Sequence, residues 1–549
     1  MFSLFQKDKS KIKLWHLNLL ISICLVLLYN KPFWHEIVRV INPHNLASYA
    51  FCTSIFLLIT LLINILLTLF CFKYSYKLIY LIIFLGSSSG LYFISQYNVL
   101  VNSDMVQNVF ETNSTEAFDF VNLTLFWYIL FLGILPLLIL FKLPIKFEKF
   151  SKTLITKLII LSTSAALITA LLFASYPNYA SIARNERHLS HKIIPTNYIF
   201  ATLSYLNQRF KQRNIPIEPI AKDAKLKPYY SNNKSKTVVI LILGETARAD
   251  HFSINGYPIK TTPLLQERVI KGDILNFPNV RSCGTSTAVS LPCIFSHLSR
   301  DNYSKSEARA NENLLDFIKS VGIDVQWRDN NTGCKGLCAR VQSKDFSRLK
   351  DKIFCNDEEC FDEILLKDLK DQIIINPKDQ VIVLHQKGSH GPAYYLRYPT
   401  KFKQFKPTCD SNELQSCTQQ QVINAYDNTI LYTDFFINQT IKLLESLPKD
   451  TNTAMIYLSD HGESLGENNI YLHGTPYFMA PDAQTHVPML FWLSTKIQDD
   501  FSINKACLNQ TLSQPYSHDN YFNSVLGLLG IETHYYQKAL DIFNLCKEI

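Results

Sequence analysis

The chain has 549 residues, 47% hydrophobic and 18% charged, with a net charge of +8, enough for two large domains. Apolar residues crowd into the first third, and much of the basic excess sits in short segments beside the apolar runs. That distribution points to membrane topology and speaks against a nucleic-acid partner, since no basic patch is interleaved with aromatics.

Five charge-free stretches, 14–28, 46–72, 78–97, 120–141 and 158–175, approach or exceed the roughly 20 residues that cross a bilayer. The first is short, with Trp15 and Tyr29 placed to anchor its ends. A cleaved leader is the rival reading, but Asn30-Lys31-Pro32-Phe33-Trp34 follows instead of a small-residue cleavage site, so a span is expected. Lys7, Lys9, Lys11 and Lys13 precede the first span, and Lys73 and Lys77 separate the second and third. Lys142, Lys146, Lys149, Lys152 and Lys157 lie before the fifth. The positive-inside rule makes all three segments cytoplasmic, which places everything after Ser175 outside.

The segment 99–119 then falls on the outer side and carries Asn108, Thr112 and Glu116 four residues apart, a spacing that puts them on one helical face. Such a row is ordinarily a solvated face. Residues 176–235, rich in tyrosine, basic residues and proline, read as an interfacial bridge. The expected organisation is a five-helix transmembrane domain over 1–175, this bridge, and a catalytic domain over 236–549.

Thr237 opens a β-branched run ending at Gly244-Glu245, the pattern of a buried parallel strand. Residues 381–384 lead to His385 and His390, and 454–458 lead to Asp460 and His461. Ligands of open α/β sheets sit beyond the carboxyl ends of strands, so three such ends make a metal-site candidate. Ten of the thirteen cysteines follow Arg281. Cys283 with Cys293, Cys334 with Cys338, Cys355 with Cys360 and Cys409 with Cys417 are near in sequence, as disulfides in an oxidising compartment would be. Cys507 and Cys546 remain and can pair with each other. Zinc-finger ligation is the alternative, but the CxxC pairs that mark it are absent. Cys24, Cys52 and Cys71 lie in apolar runs.

In Ser282-Cys283-Gly284-Thr285-Ser286-Thr287, Gly284 permits an unusual backbone and Thr285 stands near a helix start, where backbone N–H groups favour an oxyanion. A bridge from Cys283 to Cys293 would stiffen the turn by roughly 2–3 kcal/mol. A threonine hydroxyl becomes a nucleophile when coordination to zinc lowers its pKa; otherwise it is a helix N-cap.

Gly-Glu-Thr-Ala-Arg at 244–248, Cys-Gly-Thr-Ser-Thr-Ala-Val-Ser at 283–290 and Ser-Asp-His-Gly-Glu-Ser-Leu-Gly at 459–466 occur in order. They resemble the lipid A phosphoethanolamine transferases, including the mobile colistin-resistance enzymes, within the alkaline phosphatase and sulfatase superfamily. The resemblance covers nearly the whole chain. It implies an alkaline-phosphatase-like α/β domain with a mostly parallel sheet behind the five spans, in the bacterial inner membrane with the catalytic domain in the periplasm.

It further implies that Glu245, Thr285, Asp460 and His461 bind one zinc and that Thr285 is the nucleophile. His390 and His473 look like ligands of a second zinc or of the transferred phosphate, and as proton donors; His385 is near them. Lys335 matches the family's phosphoethanolamine-contacting lysine, assisted by Thr332. Asn108, Thr112 and Glu116 match its membrane-loop positions near the donor head group. His486 is expected to be structural. The implied partners are phosphatidylethanolamine as donor, a lipid A phosphate as acceptor, and membrane lipid; no motif suggests a dimer, so a monomer is expected. Transfer to a core sugar or another surface acceptor, and a phosphoglycerol transferase on the same fold, are the enzymatic alternatives. A sulfatase would need Cys or Ser followed by x-Pro-x-Arg, which is missing. A non-catalytic sensor would have lost a ligand or the nucleophile, and none is missing.

Overall fold

The computed structural model describes residues 11–111, 114–212, 216–356 and 359–547. The chain divides into two compact units, Met1–Val106 with Val121–Leu206, and Gln107–Phe120 with Asn207–Ile549.

In the first unit, four helices among the described residues are long and apolar enough to cross a bilayer: Leu46–Phe70, Tyr76–Tyr97, Leu123–Lys142 and Phe150–Ala174. A bent pair of helices passes the same test of length and composition only when its two parts are taken together. Leu14–Tyr29 bends by 70° into Lys31–Ile41, a helix not expected from the sequence. The hinge is Asn30, fully buried, with Pro32 in the first turn after it. Its amide donates to Leu25 O at 2.9 Å and Ile194 O at 2.8 Å, and its Oδ1 accepts from Ile194 N at 2.8 Å. Away from water a broken helix needs that full satisfaction of its polar groups. The last span starts earlier than expected, at Phe150, so Lys152 and Lys157 lie on the helix and not before it. Along Leu46–Phe70, Ile55, Ile59, Ile63 and Leu67 recur every four residues and pack inward, while Leu57, Leu62 and Leu69 face outward.

The second unit is built on an eight-stranded sheet. In chain order its strands are β1 Thr237–Gly244, β2 Ile274–Arg281, β3 Asp324–Asp329, β4 Gln342–Asp345, β5 Gln380–His385, β6 Asn452–Ser459, β7 His486–Leu493 and β8 Tyr516–Ser517. Their spatial order is β8-β2-β7-β6-β1-β5-β3-β4. From β6 to β4 neighbours are parallel; β7 runs antiparallel to both β6 and β2. Every residue of β1, β5 and β6 is buried, as strands covered on both faces require. The 27-residue helix Gln419–Glu445 covers one side, opened by a Thr418/Gln421 capping box. Five disulfides staple the loops: the four near-neighbour pairs and Cys507 with Cys546.

Candidate active site

The pairing of β1 with β5 and β6 sets Leu243 opposite His385 and Gly244 opposite Ser459, so three strand ends finish level. Asp460 N donates to Gly244 O at 3.0 Å and joins two of them. Just beyond, one donor atom each from Glu245, Asp460 and His461 lie within 4.8 Å of one another, all buried.

The protonation pattern of these groups leaves a gap of positive charge. His461 Nδ1 lies 2.9 Å from Gly462 O; a carbonyl only accepts, so Nδ1 carries the proton. Nε2 faces Glu245 Oε1 at 3.4 Å and Asp460 Oδ2 at 3.3 Å. Burial, reinforced by His473, pushes the imidazole well below its usual pKa, so Nε2 presents a lone pair to two carboxylates. Asp460 Oδ2 is buried and receives no hydrogen bond from the described residues, and burial pushes that carboxyl above its usual range. Three acceptors turned on one point, two from carboxylates, fit a divalent cation, and an N/O set of this kind suits zinc.

A buried chain of hydrogen bonds fixes Glu245. Asn331 Nδ2 donates to its Oε2 at 2.7 Å and Thr287 Oγ1 does so at 3.1 Å. Asn331 Nδ2 also lies 3.3 Å from His385 Nε2, and His385 Nδ1 lies 2.9 Å from Asp329 Oδ2, which accepts from Trp327 Nε1 at 2.7 Å. Both ring nitrogens of His385 are therefore taken up by protein groups, which makes it a brace for Asn331. Gly388 has φ +57°, and a Cβ there would sit 2.6 Å from Glu245 O; only glycine lets this loop pass so close.

Thr285 is 7% exposed and donates from Oγ1 to Thr475 O at 2.6 Å, while Gly474 N donates to Thr285 O at 2.7 Å. The hydroxyl that reaches Glu245 and, at 3.4 Å, His461 Nε2 is that of Thr287. The helix Thr287–Ile294 has Ser286 as its N-cap residue, so Thr285 precedes it. Gly284 is required by contact and not by an unusual backbone: a Cβ would lie 2.8 Å from Val289 Cβ.

His473 stands with its ring centroid 4.5 Å from that of His461 and 5.4 Å from that of His390. Its Nδ1 lies 3.3 Å from the buried carboxylate of Glu463. Neither His390 nor His473 belongs to the group of three close metal donors. Arg397 Nε donates to His390 O at 2.7 Å. Lys335 Nζ donates to Thr332 Oγ1 at 3.0 Å. Asn108 lies on the helix Ser103–Glu111 and Glu116 on the next, Ser114–Asp119, while Thr112 falls outside the described residues. His486 Nε2 lies 2.6 Å from Pro278 O, a structural contact between β7 and β2.

Four residues here were not found by sequence reading: Asp329, Asn331, Thr287 and His518. His518 accepts from Cys283 N and donates to Ser459 O, each at 3.0 Å, and so ties the Thr285 turn to the end of β6.

Comparison with known proteins gives two family matches: "Phosphoethanolamine transferase EptA/EptB" over residues 59–210 and "Sulfatase" over 237–531. The phosphoethanolamine transferase EptA of Escherichia coli K12 is 43% identical over 470 residues, 85% of this chain and 84% of its own. The phosphatidylethanolamine transferase Mcr-1 of E. coli is 39% identical over 410 residues, 73% of this chain and 75% of its own. The solved integral membrane lipooligosaccharide phosphoethanolamine transferase A of Neisseria meningitidis superposes with a TM-score of 0.93 at 36% identity. That match covers 98% of this chain and all of the other.

Proposed function

This chain belongs to the EptA/EptB family of phosphoethanolamine transferases, and from that premise we propose that it moves phosphoethanolamine from phosphatidylethanolamine to a phosphate of lipid A, with Thr285 as the covalent carrier. It is a multi-pass membrane protein with a periplasmic catalytic unit. The observation that carries the reading is the buried Glu245, Asp460 and His461 cluster beside a threonine turn.

Glu245, Asp460 and His461 would hold zinc, which supplies Lewis acidity that favours a deprotonated hydroxyl and neutralises phosphoryl charge. Thr285 Oγ attacks phosphorus: the Oγ–P bond forms, the bond from phosphorus to the glycerol oxygen breaks, and diacylglycerol leaves. His390 or His473 takes the Thr285 hydroxyl proton and passes it to the leaving alkoxide. Lys335, steered by Thr332, meets charge on the phosphoryl oxygens. An acceptor phosphate oxygen then attacks the phosphothreonine, and the Thr285 oxygen departs and recovers its proton. Asn331 and Thr287 hold Glu245 in place through both steps. The same residues would serve a core-sugar acceptor, so the lipid A assignment rests on the family.

The test is mass spectrometry of lipid A from a Gram-negative host lacking its own transferases, expressing wild type, Thr285→Ala or Thr287→Val. Wild type should add phosphoethanolamine and Thr285→Ala should add none. Thr287→Val should retain a reduced adduct, because its hydroxyl positions Glu245. Transfer by Thr285→Ala together with none by Thr287→Val would move the nucleophile to Thr287. Lipid A left bare by all three would send the search to the core sugars.

A further inference from the structure

The lysine-rich, cytoplasmic end of the membrane unit contains a cavity of about 540 Å³ that the transfer chemistry leaves unused. Trp15 and Phe72 contribute apolar wall, and Lys13, Lys73, Lys146 and Lys157 all line it. One edge is a short parallel pairing of Ile12–Lys13 with Ile145–Lys146, whose register sets Lys13 opposite Lys146. Like charges so placed repel one another. Glu148, also on the wall, lies 3.3 Å from Lys13 and offsets one of the four charges.

Lys157 makes the imbalance sharper. It is 8% exposed, and among the described residues its ammonium has no hydrogen-bond partner. Instead it sits 3.2 Å from the centroid of the Phe72 ring. A ring face returns only part of the hydration that a buried ammonium gives up. The cavity thus combines unbalanced positive charge with aromatic wall, and its rim leaves Tyr74 87% and Phe150 72% exposed.

We propose that this cavity binds an anionic phospholipid of the cytoplasmic leaflet, its phosphate among the lysines and the upper acyl chains along the aromatic wall. A free phosphate would satisfy the lysines but leave the apolar wall bare. A zwitterionic head group would bring its own ammonium into a cationic site. Basic pockets between helix ends on this side of a membrane select acidic head groups for those reasons.

The experiment is native mass spectrometry of the full-length protein in detergent, titrated separately with phosphatidylglycerol, phosphatidylcholine and inorganic phosphate. Wild type should retain phosphatidylglycerol at least about ten-fold more strongly than phosphatidylcholine. Lys146→Gln and Lys157→Met should each lower that affinity about five-fold, with phosphatidylcholine retention unchanged. Lys146 is exposed, so its variant tests the site without disturbing a packed position. Equal retention of the two lipids, or phosphatidylglycerol binding unchanged in both variants, would overturn the proposal. Binding of inorganic phosphate that excludes phosphatidylglycerol would assign the lysines to a free anion and overturn it too.

Discussion

His518 ties two parts of the site together only while it is neutral, because Nδ1 must accept from Cys283 N as Nε2–H donates to Ser459 O. Burial pushes its pKa down to about 3, against about 6.5 in an unfolded chain. Between those values the unfolded state binds a proton that the native state refuses. Stability therefore falls as pH drops from about 6.5 toward 3. His518→Gln should unfold at a lower temperature than wild type near neutral pH, yet show a shallower loss on acidification. Melting curves across that pH window check this, and parallel acid limbs in the two proteins would remove His518 from the account. The sequence made Glu245, Asp460 and His461 legible because each follows a short apolar run with the pattern of a buried strand. His518 follows no such run. Its role comes from partners 235 and 59 residues away, a separation that residue type alone does not disclose. Thr287 was hidden differently: it stood in the quoted motif, but only the fold reveals that its hydroxyl, and not its neighbour's, turns toward Glu245.

Among the elements, β3 shows where pattern reading fails. Asp324–Asp329 alternates Val325 and Trp327 with Gln326 and Arg328, so it lacks the unbroken apolar run of β1 and β6. Arg328 is nevertheless fully buried, donating to Leu365 O at 2.7 Å and Lys367 O at 2.6 Å, with Phe346 stacked against it. Missing this strand meant missing the fourth strand end, which delivers Asp329 and Asn331 to the site. The break at Asn30 was hidden for a related reason, since its polar groups are satisfied by Ile194, far along the chain. The segment Ser114–Asp119 carries a prediction of its own. Arg397 binds Asp119 at 2.5 Å and the Glu359 carboxylate as well, while its Nε holds His390 O at 2.7 Å. One guanidinium thus sets the backbone of a candidate proton donor from a segment next to the membrane-loop positions. Arg397→Lys keeps the charge but loses the planar fork. It should lower kcat about ten-fold or more through misplacement of His390, with zinc content unchanged. Loss of zinc in that variant would instead point to a general packing defect.

At the scale of the whole molecule, the catalytic unit is assembled around a charge defect. Glu245 and Asp460 are each 1% exposed and His461 is fully buried, and together they offer one point three acceptors and no cation of their own. Elsewhere in this unit a buried acid can meet a cation of the protein's own, as Glu359 meets Arg397. The five disulfides hold loops but bring no positive charge. A metal ion that binds the folded unit and not the unfolded chain must therefore raise its stability, by about 2.7 kcal/mol when free metal is a hundred times the dissociation constant. Chelation should lower the melting temperature of the full-length protein, and zinc should restore it where magnesium does not, since magnesium prefers an octahedral oxygen shell. Trp327 offers a local signal for the same titration, because the chain of hydrogen bonds from its indole through Asp329, His385 and Asn331 ends on Glu245. Glu245→Gln removes one of the two carboxylates and relieves much of the defect, so its melting temperature should depend less on zinc than that of wild type. A variant that still gained as much stability from zinc would show that the cation binds elsewhere, and the three strand ends would lose their claim to the chemistry.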